Sequence, residues 1–221
     1  MKNKTEGIYI GEESQEYKLK FSEIAESNLD INKPTVLLHS CCGPCSTAVV
    51  ERLAPNYHVT VFFYNPNIMD REEYYRRRDD QLKFLEIFNH EHKNEYFVDY
   101  LEGEYTPDTF VSLATDLKDE PEGGLRCSIC FKLRLDKTAV IAKSLDKDLF
   151  ATTLTISPHK NYQLISAIGN GISQNLGIKY LDENFKKKGG FQRSIELSKK
   201  YDLYRQTYCG CDYSKINDEG K

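Results

Sequence analysis

The sequence predicts an α/β protein: a Rossmann-like parallel sheet with helices on both faces, in a single domain with a cysteine-rich metal site. Three observations carry this expectation. Short apolar runs of buried-strand type alternate with longer segments of helical spacing. The first of these strands runs directly into the turn CCGPC. All seven cysteines of the 221-residue chain stand in three tight groups. Strands that alternate with crossover helices form right-handed parallel connections, and ligands bind such sheets at the carboxyl ends of their strands.

Taken in order, residues 1–33 read as an acidic N-terminal extension, amphipathic around Phe21, Ile24 and Leu29 and ending at the helix-breaking Lys33-Pro34. Residues 34–221 read as the Rossmann-like metal-binding catalytic domain. TVLLH from Thr35 is a short buried strand, CCGPC a turn, and STAVVERLA a helix with apolar residues at Ala48, Val49, Leu53 and Ala54. HVTVFFYN is the second strand. A long charged helix follows from about Asp70 to His92, with Tyr74, Leu82, Leu85 and Phe88 on its inner stripe, and then a strand in EYFVDY. Downstream, LFATTLTI reads as a buried strand, KNYQLISAIGNGISQNLG as a helix and IKYL as a short edge strand. There is no internal repeat and no low-complexity tract.

Composition narrows the function classes. The charged fraction of 29% and hydrophobic fraction of 39% are those of a folded globular chain. No apolar run approaches the roughly 20 residues that a membrane span needs. The polar N-terminus lacks the apolar core and small-residue cleavage site of a secretory signal, so the expected location is the cytosol, with no membrane partner. There thiols stay reduced, and closely spaced cysteines point to metal binding or catalysis rather than to disulfides.

Cys41, Cys42 and Cys45 lie in SCCGPCS, Cys127 and Cys130 in GLRCSICFKLR, and Cys209 and Cys211 in YCGCDY. Pro44 suits a first helical turn, so Cys42 and Cys45 should flank a helix N-terminus, where free N–H groups favour thiolate. Cys127 and Cys130 should share one face at the start of another helix. Gly210 permits a tight turn between Cys209 and Cys211. Thiolate-rich sites without histidine favour zinc or iron–sulfur clusters. Structural zinc usually uses closely spaced pairs, whereas these groups are separated by about eighty residues and need the fold to assemble them. A thioredoxin-like dithiol would leave Cys41 and four remote thiols without a role.

The segments LLHSCCGPCS, YNPNI followed by EEYYRR, PEGGLRCSICFKLRL, TTLTISPHKN and LYRQTYCGC resemble those of the QueH-type epoxyqueuosine reductases. They run in the family's order from about Val36 to Cys211. The resemblance implies an oxidoreductase of queuosine biosynthesis on a Rossmann-like, nucleotide alpha-hydrolase-like fold. It would reduce the epoxide of epoxyqueuosine at the wobble position of tRNA. The implied cofactors are a [4Fe–4S] cluster and an additional mononuclear iron. Cys41, Cys42, Cys127, Cys130, Cys209 and Cys211 are the candidate cluster ligands. Some members of the family have aspartate where this chain has Cys45, which suits a second metal; which thiol serves which metal stays open. No GxGxxG element is present, so electrons are expected from an external donor.

His39, at the end of the first strand, could donate a proton or ligate a metal; a hydrogen-bonded structural histidine is the competing reading. Tyr64 and Asn65, with Asn67, follow the second strand and should face the same cleft, or merely form a turn. Arg76, Arg77 and Arg78 read as a solvated helix face, with a phosphate contact by one of them as the alternative. With a net charge of −4, nucleic-acid binding would rest on a local patch. The candidates are Lys186, Lys187, Lys188, Arg193 and Arg205, where cations dominate and Gly189 and Gly190 permit close approach. Two other classes compete: a tRNA sulfur-transfer enzyme, whose SGGxDS-type ATP loop is missing here, and a non-catalytic zinc or iron–sulfur module that binds RNA.

Overall fold

The computed structural model describes residues 8–10, 15–20 and 32–215. Its strands are β1 (Ile8–Ile10), β2 (Gln15–Lys20), β3 (Thr35–Ser40), β4 (His58–Phe63), β5 (Asp99–Glu102), β6 (Leu149–Thr152) and β7 (Lys179–Tyr180). Between them lie α1 (Gly43–Leu53), α2 (Arg71–Glu91), α3 (Pro107–Ala114), α4 (Leu125–Ser144) and α5 (Tyr162–Leu176). The chain closes with α6 (Gly190–Lys200) and α7 (Asp212–Lys215).

The sheet order is β1-β2-β5-β4-β3-β6-β7. From β5 to β7 every pairing is parallel, with Val36 opposite both Val59 and Leu149. The β1–β2 hairpin adds antiparallel pairing at the β5 edge, where Leu19 faces Leu101. So the segment expected to stand apart as an N-terminal extension lends two strands to the sheet. The amphipathic stretch around Phe21, Ile24 and Leu29 lies outside the described residues.

Strand periodicity explains the three layers. Successive side chains of a strand point to opposite faces. Val36, Leu38, Val59, Val61 and Phe63 therefore pack on one side with Val49, Phe84, Phe88 and Leu197 of α1, α2 and α6. Leu37, Phe62, Leu101 and Phe150 pack on the other with Leu135, Ala139, Ile165 and Ile172 of α4 and α5. A sheet covered on both faces requires continuous apolar strands, and β3 and β4 read that way.

Two expected strands shift for identifiable reasons. EYFVDY pairs only from Asp99, because the side-chain amide of Asn89 takes both the N–H and the carbonyl of Val98 at 2.9 Å each. LFATTLTI leaves the sheet after Thr152, whose hydroxyl accepts the N–H of Leu154 at 3.1 Å and starts a 3-10 turn over Thr153–Ile156. The short α3 had no sequence expectation; only Phe110 and Ala114 of it are buried.

The chain proceeds from β3 to β4 on one side and reaches β6 on the other, so β3 lies at the point where strand order reverses. Crevices at such points bind ligands. The loop leaving β3 there is CCGPC.

Candidate metal and active site

α1 begins immediately after CCGPC: Cys42 is its extended N-cap residue and Pro44 occupies its first turn. Gly43 lets this end press against α2, since a Cβ there would lie 3.0 Å from the Asp80 carbonyl oxygen. Gln81 of α2 accepts from the hydroxyls of Ser40 at 2.7 Å and Ser46 at 2.9 Å, tying both ends of the loop down. On this frame the sulfurs of Cys41, Cys42 and Cys45 lie within 4.8 Å of one another, those of Cys41 and Cys42 at 3.9 Å. Among the described residues no other group of three candidate ligands is this close.

The three thiols share charge unequally. Hydrogen bonds from Cys42 and Cys45 hold Cys41 well below the ordinary thiol range despite burial. Burial pushes Cys42 up to about 12, and donation to its two neighbours raises Cys45. One thiolate held by two thiols is a set that a thiophilic cation completes by displacing the remaining protons. These residues could therefore hold a metal ion.

The other cysteines gather around the same region without joining that close set. Cys209 lines, with Cys41 and Cys45, a cavity of about 470 Å³. Cys127 and Cys130 lie in the first turns of α4, and the Cys127 sulfur accepts the N–H of Gly123 at 3.2 Å. Cys130 and Cys211 are buried together beside Phe110 and Ala114. Burial raises Cys130 to about 12 and Cys211 to about 11, with neighbouring thiols adding to both.

The YCGC loop is held by a residue that the sequence reading placed on a solvated face. Arg77 is 2% exposed. It donates to the carbonyls of Cys209 at 3.2 Å and Tyr208 at 3.1 Å, and pairs with Glu73 at 2.6 Å. Tyr204 donates its hydroxyl to the same carboxylate. Gly210 has φ +101°, and a Cβ there would lie 2.8 Å from Ile68, so the turn between the two cysteines requires glycine. Gln206, four residues upstream, donates to the Cys42 sulfur at 3.0 Å and so joins this loop to CCGPC.

The three expected catalytic residues are buried and held by the scaffold. His39 is fully buried, with Nδ1 at 2.9 Å from the Thr152 hydroxyl and Nε2 at 3.1 Å from the Tyr64 carbonyl. Burial, reinforced by Arg134, lowers its pKa to about 3, so the ring is neutral. Tyr64 is buried and stacks on Phe62, and Asn65 donates to the Ser40 carbonyl at 2.9 Å. None of the three lines the cavity. Asn67 instead reaches the Cys209 carbonyl, at 3.4 Å.

The basic candidates divide. Lys187 and Lys188 are exposed. Lys186 donates to the Lys160 carbonyl at 3.1 Å, and Arg193 is paired with Glu51 at 2.7 Å and Glu196 at 3.1 Å. Arg205 lines the thiol cavity and donates to Ser198 at 3.0 Å. Arg134 and Lys160, which also line that cavity, had no sequence expectation. Spacing could have shown Arg134, which follows Cys130 by one helical turn and Cys127 by two.

Fold and site together define a class: a Rossmann-like α/β protein whose sheet delivers a metal-competent thiol cluster to a polar cavity. The family profile described as epoxyqueuosine reductase QueH matches residues 36–217. A protein of that name from Streptococcus pyogenes serotype M1 is 46% identical over 82% of this chain and 71% of its own length. Its namesake from Staphylococcus epidermidis is 41% identical over 90% of this chain and 87% of its own. That from Thermotoga maritima is 37% identical over 85% and 93%. The chain belongs to the epoxyqueuosine reductase QueH family. Among the described residues no helix is long and apolar enough to cross a membrane.

Proposed function

We propose that this chain reduces epoxyqueuosine in tRNA to queuosine, with the centre held by its cysteines passing electrons to the substrate. The observation that carries the reading is the CCGPC triad, three sulfurs within 4.8 Å at the carboxyl end of β3, two of whose residues, Cys41 and Cys45, line a polar cavity in a member of this family. The reaction takes up two electrons and two protons: both carbon–oxygen bonds of the epoxide break, the oxygen leaves as water and a carbon–carbon double bond forms.

The donor set fits iron–sulfur chemistry, being all sulfur and without histidine, with Cys41, Cys42, Cys130 and Cys211 buried and the others half-buried. Four of Cys41, Cys42, Cys127, Cys130, Cys209 and Cys211 would hold a [4Fe–4S] cluster, and the remaining thiols, Cys45 among them, would serve a neighbouring iron. When bound, that group would supply single electrons and a Lewis acid for the epoxide oxygen.

The chain's own residues shape the rest. Arg77 and Gln206 keep the Cys209 loop against CCGPC. Tyr208, His159 and Arg205 give the cavity walls that suit an extruded polar nucleoside. The exposed Lys187 and Lys188 contribute to holding the tRNA backbone. Electrons come from an external donor.

The test is anaerobic incubation with tRNA bearing epoxyqueuosine and a chemical reductant, followed by nucleoside mass analysis. The expected product is lighter by one oxygen. Unchanged nucleoside with a fully loaded protein would contradict the assignment.

A further inference from the structure

Arg134 is an unusual occupant of the thiol cavity. It is 1% exposed, and its Nε donates to the Cys130 carbonyl at 3.2 Å. Its Nη2 is buried with no hydrogen-bond partner among the described residues. A guanidinium carries five donors and is never neutral, so leaving the two on Nη2 dry is unfavourable unless something else meets them. After its own desolvation, the groups that act most strongly on it are thiols, Cys130, Cys209, Cys41 and Cys127, rather than any carboxylate. These four come from all three cysteine segments.

Lys160 repeats the pattern from another wall. After desolvation, it too responds chiefly to Cys209, Cys41 and Cys45. The carboxylate among the cavity's lining residues, Glu122, is exposed. Arg77, which also lines the cavity, is by contrast matched by Glu73. Two cations facing thiols in place of carboxylates mark a cavity built around negative charge carried on sulfur.

Resting on the iron–sulfur reading above, we propose that Arg134, assisted by Lys160, is the fixed countercharge of the sulfur-held centre and raises its reduction potential. Adding an electron makes a thiolate-ligated cluster more negative, and a nearby buried cation or N–H donor stabilises the reduced form more than the oxidised one. The Nη2 of Arg134 is placed to donate to such a centre, and burial leaves its charge poorly screened. Arg134 is thus a positioning and tuning residue; it need not touch the epoxide.

The experiment uses the full chain, purified anaerobically, in wild-type form and as Arg134→Gln, Arg134→Lys and Lys160→Gln. Iron and sulfide are quantified in each, and the reduction potential is read by a titration followed by electron paramagnetic resonance. Arg134→Gln should shift the potential to more negative values, Arg134→Lys should recover most of that shift, and Lys160→Gln should shift it in the same direction by less. If Arg134→Gln fails to fold or loses iron, the less buried Lys160→Gln decides the question. An unchanged potential in a variant with wild-type iron and sulfide overturns the proposal while leaving the proposed activity intact. Wild-type protein with zinc and no sulfide overturns both.

Discussion

Replacing Arg77 with methionine should be among the most damaging single changes outside the cysteines. The side chain is 2% exposed, its partner Glu73 is 9% exposed, and the pair is bonded at 2.6 Å. Removing one member of a buried ion pair strands the other and costs about 3–5 kcal/mol. The carbonyls of Tyr208 and Cys209 lose the Arg77 guanidinium as well, and Cys209 is left with the Asn67 amide at 3.4 Å. Against a total stability of roughly 5–15 kcal/mol this is a large fraction. Glu73→Gln keeps both carbonyl contacts and leaves a neutral acceptor, so it should cost about 1–3 kcal/mol. Urea denaturation of the two variants measures the difference, and iron content reports whether Cys209 still reaches its place. Arg77→Met within about 1 kcal/mol of wild type, with normal metal loading, would refute the claim that this residue fixes the YCGC loop.

Three other outcomes follow from the geometry. Gly210→Ala should destabilise by about 2–4 kcal/mol, adding left-handed strain to the contact with Ile68, and should lower metal content; thermal unfolding and iron quantification check it. Asp99 is raised by burial to about 6, against the pull of Lys147 and His58, so its folded pKa lies above its ordinary value of 3.8. Its contribution is complete below that ordinary value and lost as pH rises through 6; wild type should gain up to about 3 kcal/mol on going from pH 7 to pH 4 relative to Asp99→Asn, as denaturant titrations at both pH values would show. Alanine at both Lys187 and Lys188 should weaken tRNA binding and reduce the salt slope by about one unit per lost phosphate contact, whereas Arg193→Ala, already paired to two glutamates, should leave the slope unchanged.

The parallel core was legible because β3 and β4 are short, built around apolar runs and followed by patterned helices. What the sequence hid was mostly decided at a distance. Asn89 displaces the start of β5 through a side chain nine residues away. Arg77 sits in a run of three arginines that looks solvated, and is buried only because a loop 132 residues later closes over it. The cysteine groups announced a site, yet local spacing showed neither that Cys41, Cys42 and Cys45 form the tight set nor that His39 is sealed between Thr152 and Tyr64. The N-terminal hairpin escaped notice because its pairing partner, β5, lies some eighty residues downstream.

We propose that cysteines from three distant segments hold one iron–sulfur centre. The most direct measurement is iron and acid-labile sulfide in anaerobically purified protein, compared with Cys42→Ser, Cys127→Ser and Cys209→Ser. The expected result is about four sulfides per chain in wild type, iron in excess of sulfide, and a parallel loss of both in all three variants. Stoichiometric zinc without sulfide, or a full cluster surviving the loss of any one segment's cysteine, would contradict it.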